Sequence, residues 1–139
     1  MLNLTFRIIF NDLLLEMAIQ IPDQVKKFIV AAVLLLVVDI PWLTMMSSVN
    51  NSVITDIQGG KQAYYRLSAA LPVYIALAYL ILKVKDTNEA FLTGLAVYAV
   101  YDFTVYVAFD KYPIWLAFAD CIWGGVLFVI VFNILKFLK

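Results

Sequence analysis

From Phe28 onward the chain alternates long apolar runs with short polar joins. Runs at about 28–47, 67–84, 90–109 and 114–135 each reach the roughly 17–25 mostly apolar residues a membrane-spanning helix needs. The joins "SVNNSVITDIQGGKQAYYR", "KVKDTNE" and "FDKYP" carry the Gly, Asn, Asp, Lys and Pro of turns at a water interface. The pattern therefore predicts an all-α integral membrane protein, a four-helix transmembrane bundle over residues 26–139. Residues 1–25 differ, because Arg7, Asp12 and Glu16 interrupt their apolar run. They read as an N-terminal amphiphilic extension, an interfacial helix ending at the Pro22–Asp23 break.

Composition strengthens this picture. The 139 residues are 65% hydrophobic and 14% charged, against the roughly 25% charge of an ordinary soluble domain. A water-soluble chain of this size buries only about 60–70% of its unfolded surface, too little to hide so many apolar side chains. Net charge is zero, without a basic cluster, which sets nucleic acid aside as a partner. Histidine is absent and Cys121 is the lone cysteine, so no cofactor or metal site is expected. By side, Lys and Arg divide as Arg7, Lys26, Lys27, Lys83, Lys85, Lys136 and Lys139 against Lys61, Arg66 and Lys111. The positive-inside bias then places both termini in the cytoplasm. Tyr64, Tyr65, Tyr112 and Trp115 fall where interfacial anchors do, and Trp42 is placed either there or in the interior.

Against this background three carboxylates stand out. Asp39, Asp102 and Asp120 lie six to eight residues inside the outer ends of their spans, hence roughly 9–12 Å deep on a common level. An acid at such depth costs about 2.5–3.5 kcal/mol on insertion scales, so each is expected to face inward and to pair or take up a proton. Tyr98 and Asp102 share a helical stripe with Gly94, and Tyr101 and Thr104 flank it. Trp123 is too deep to be an anchor, and its N–H needs a partner inside the protein. The expected polar cluster is Asp39, Trp42, Tyr98, Tyr101, Asp102, Thr104, Asp120 and Trp123. Gly94, Ala117, Gly124 and Gly125 read as small residues that let helices approach closely.

Asp39-x-x-Trp42, Tyr101-Asp102-Phe103-Thr104 and Asp120-x-x-Trp123-Gly124 together resemble the signature of the small membrane proteins grouped as domain-of-unknown-function family 2177. The likeness covers about residues 26–136. It implies a four-helix membrane protein of no established biochemical role, from a family with bacterial, eukaryotic and viral members. Val105 stands where the family commonly has asparagine, which removes an amide from the site the resemblance implies.

Three functions follow as expectations. The first is binding or conduction of a small ligand, a proton, a cation or a lipid or small-amphiphile head group, at the intramembrane Asp/Tyr/Trp cluster. The second is a structural or assembly subunit of a membrane complex, a homo-oligomer or a viral internal membrane, with the acids as hydrogen-bonding glue. The third is a lipid-modifying membrane enzyme using two carboxylates as acid and base, disfavoured because no nucleophile motif or metal cluster accompanies them.

Overall fold

The structure, a computed structural model, describes residues 22–61 and 66–138. Among these residues it contains helices and no strand. They are α1 (Asp23–Met45), α2 (Ser47–Ile57), a 3-10 turn (Leu67–Ala69) running into α3 (Ala70–Ile81), α4 (Thr87–Ala108) and α5 (Ile114–Phe137). Most of the expected interfacial extension, together with Tyr64 and Tyr65, lies outside the described residues.

The helix ends follow from local chemistry. Pro22 precedes α1 and Pro113 precedes α5, where a missing N–H and a fixed φ suit a helix start. At the start of α4, Asp86 Oδ1 accepts the Glu89 amide at 2.9 Å and Glu89 Oε2 reaches back to the Lys85 amide at 2.8 Å. This is a reciprocal cap of the capping-box type. Pro41 falls inside α1 and does not end it. Gly59 and Gly60 both have positive φ and turn the chain after α2.

Three helices, α1, α4 and α5, are long and apolar enough to cross a membrane. Their outward side chains, such as Val33, Val37, Val100, Val107 and Ile122, are ones that hydrocarbon accepts and water does not. The expected span 67–84 appears as a shorter apolar helix, Leu67–Ile81. At about 1.5 Å per residue it covers roughly 22 Å of a hydrocarbon core about 30 Å thick.

One join departs from its sequence reading. Much of the stretch expected as a polar loop after α1 is α2, whose Val49, Val53 and Ile57 recur every four residues and pack against Met46, Tyr112, Leu116 and Ala117. The Asn and Asp residues that suggested a turn occupy its other positions. Lys111 Nζ, from the α4–α5 turn, donates to the Asp56 carbonyl at 3.1 Å and fastens this end.

Helices α4 and α5 form the tightest pair; α1 packs on α5, and α3 packs mainly on α1. One apolar cluster, including Ala31, Leu35, Ala78, Ile81, Leu127 and Phe128, fills the end near Asp86. A smaller one around Met46, Leu116 and Ala117 fills the end beneath α2. Asp39 on α1 and Asp120 on α5 fall between these two apolar zones.

Candidate functional site

The two Asp-x-x-Trp segments meet face to face. Trp123 Nε1 on α5 donates to Asp39 Oδ1 on α1 at 2.7 Å, and Trp42 Nε1 on α1 donates to Asp120 Oδ1 on α5 at 2.7 Å. The helices run antiparallel, so equal spacing in the two segments brings each acid level with the other's indole. Between the bonds the Trp42 and Trp123 rings stack at 5.0 Å between centroids and 6° between planes. An indole N–H can only donate, which fixes both Oδ1 atoms as acceptors. Trp42 is thus an interior residue; its first role, as an interfacial anchor, is set aside because its N–H is used on Asp120.

Asp39 is the most completely partnered acid. Its Oδ2 accepts from Tyr74 Oη at 2.8 Å, so both carboxyl oxygens hold a donor, and the residue is only 6% exposed.

Asp102 occupies a different setting. It is 2% exposed, and its Oδ1 accepts from Tyr112 Oη at 2.7 Å. Its Oδ2 is buried and has no hydrogen-bond partner among the described residues. Tyr112 is buried in the turn between α4 and α5, not laid along an interface as its position suggested. Burial, followed by its bond to Asp102 and that group's charge, holds the Tyr112 phenol well above its ordinary pKa. It therefore keeps its proton and serves Asp102 as a fixed donor. The three acids do not bond one another across the bundle; each is met by an indole or phenol.

Tyr98 lies among all of them, within electrostatic reach of Asp39, Asp102, Asp120 and Tyr74. It gets there because α4 and α5 touch backbone to backbone. A Cβ on Gly94 would collide with the Gly124 carbonyl, and one on Gly124 would collide with the Tyr98 ring. A Cβ on Gly125 would sit 2.6 Å from the Phe91 ring. These three glycines are places where a side chain has no room. Ala117 is fully buried, but beneath Tyr112 and α2.

Two residues expected in the cluster stand outside it. Tyr101 is 68% exposed, because its place next to Asp102 turns it about a quarter of the way round the helix. Thr104 is exposed, and its hydroxyl donates to the Val100 carbonyl at 2.5 Å, the usual local outlet for a helical threonine in apolar surroundings.

Two donors were missed from sequence. Tyr74 lies seven residues inside the expected outer end of its helix, the same depth that aligned the acids, so the same reckoning extended to phenols finds it. Tyr112 gave no comparable signal, since nothing local says that it folds back toward Asp102.

No group of three or more acidic, His or Cys side chains with metal-holding geometry occurs among the described residues. Compared with protein-family models, with curated proteins and with solved structures, the chain matches none.

Proposed function

We propose that this chain is a four-span membrane protein that binds or conducts a small ligand at its Asp/Tyr/Trp layer. In this reading Leu67–Ile81 is the fourth, shorter span, accommodated by local thinning of the bilayer or by the residues that follow it. Both termini lie on the cytoplasmic side. The ligand is a proton, a cation or the head of a lipid. The chain is placed with domain-of-unknown-function family 2177 on its three motifs alone.

The observation that carries this proposal is the unpartnered Oδ2 of Asp102, buried on a helix apolar enough to span a membrane. Helix-to-helix glue would leave both oxygens bonded, as at Asp39, since each missing partner in low dielectric costs stability and returns none. A second reading has its own support. The crossed Asp–Trp pairs with their stacked rings are complete, as in a subunit whose polar residues serve assembly.

Reconstitution separates the two. Proteoliposomes of the full chain are assayed for proton flux and monovalent-cation flux, and the purified protein for co-purifying lipid. The triple variant Asp39→Asn, Asp102→Asn, Asp120→Asn is expected to lose whichever signal the wild type shows. If the variant keeps native helicity and matches the wild type in all three assays, the ligand reading fails and the assembly reading takes its place.

A further inference from the structure

We infer that the ligand of Asp102 is a proton, exchanged at its unpartnered buried oxygen, with Tyr112 as the donor that steadies the ionised form. The inference rests on the ligand reading above and narrows it to one atom, Oδ2 of Asp102.

Space is the first argument. Asp102 is 2% exposed and Tyr112 is 8% exposed, and neither lines either of two clefts on α4. Those clefts, about 530 and 550 Å³, lie toward the other end of α4, around Asp86, Glu89, Leu92 and Phe91. A lipid head group or a hydrated cation needs a cavity, and a bare metal ion needs several oxygens converging on it. A proton needs one lone pair, and Oδ2 has one to offer.

Chemistry is the second. The titratable groups within electrostatic reach of Asp102 are Tyr98 and Tyr101 on its own helix, Asp120 and Cys121 on α5, and Tyr112 in the turn. None of them is a cation. The Tyr112 hydroxyl on Oδ1 steadies the ionised form of Asp102. Asp39 differs, because an indole N–H is committed to one of its oxygens and a phenol O–H to the other.

The exchange is a simple acid–base step: the proton adds to an Oδ2 lone pair, the carboxylate charge is neutralised, and the Tyr112 O–H remains on Oδ1. Release reverses it.

The test is infrared difference spectroscopy of the full chain in bilayers, titrated from acidic to alkaline pH. A protonated-carboxyl C=O band is expected to disappear as pH rises and to be missing in Asp102→Asn. Tyr112→Phe, which leaves Asp102 in place, is expected to raise the midpoint by about one to two pH units, because a hydrogen bond to the charged form is gone. A band that persists in a folded Asp102→Asn, or no titrating band in the wild type, overturns the inference; so does an unmoved midpoint in Tyr112→Phe. Failure here is distinct from failure of the wider proposal. Cation flux or lipid binding without a titrating band leaves the ligand reading standing and removes the proton. A titrating band without any flux or bound lipid keeps proton binding at Asp102 and removes conduction.

Discussion

Asp39 and Asp102 are both nearly inaccessible, both on helices apolar enough to span a membrane, and both bonded to a tyrosine, yet one is finished and the other is not. Asp39 takes two donors from two different helices, α3 and α5. Asp102 takes one, from the turn that follows its own helix, and keeps an oxygen bare. The difference teaches that a buried carboxylate is to be judged oxygen by oxygen. An acid that ties three helices together suits assembly, whereas one held from a single side leaves an oxygen open to the exchange proposed for Asp102.

The sharpest way to break this contrast is truncation. Asp39→Ala leaves the Trp123 N–H and the Tyr74 O–H without their acceptor and is expected to cost about 2–3 kcal/mol, two hydrogen bonds at the upper end of what such bonds contribute in membranes. Asp102→Ala orphans only Tyr112, at a cost of about 1 kcal/mol or less. Denaturant titration in mixed micelles measures both, and equal losses would erase the distinction.

The next effect sharpens it from the side of packing. Gly124→Ala places a methyl group where the Tyr98 ring lies and is expected to destabilise the α4–α5 pair by about 1–3 kcal/mol. Gly60→Ala, at an open position, costs less despite its positive φ. A Gly124→Ala protein as stable as the wild type would mean that the ring does not depend on that notch.

The smallest effect is the most diagnostic. Replacing acid and phenol together, Asp102→Leu with Tyr112→Phe, removes the unpartnered oxygen along with the hydroxyl that bonds its neighbour on the same carboxyl group. Stability is expected to stay level or rise by up to about 1 kcal/mol, since apolar side chains of similar size often do as well as a buried polar pair. A clear loss in the same unfolding assay would show that Asp102 holds the fold as Asp39 does.

Much of this arrangement was written in periodicity and depth. The apolar runs located α1, α4 and α5 to within a few residues at most ends, depth marked the acids as inward, and the mismatch between Trp123 and any interface implied an internal acceptor. What periodicity does not encode is which helix lies beside which. The crossing of Asp39 to Trp123 and Trp42 to Asp120 exists only because α1 and α5 are antiparallel neighbours. From one strand of text, the same residues were equally compatible with three acids meeting directly. Tyrosine was the other blind spot: Tyr112 has the position of an interfacial anchor and the role of a buried donor. The helix Ser47–Ile57 was hidden by its Asn and Asp content, although Val49, Val53 and Ile57 had marked its apolar side.

The paired Asp-x-x-Trp segments also set a mechanical tolerance. In each helix acid and indole are three residues apart, about 4.5 Å along the axis. A slip of that size in one direction would set carboxylate opposite carboxylate, and in the other would leave ring opposite ring with both acids stranded. Neither slipped position keeps even one of the two bonds, so α1 and α5 have a single keyed alignment, and any motion that passes between them must tilt or part the helices because it cannot slide them.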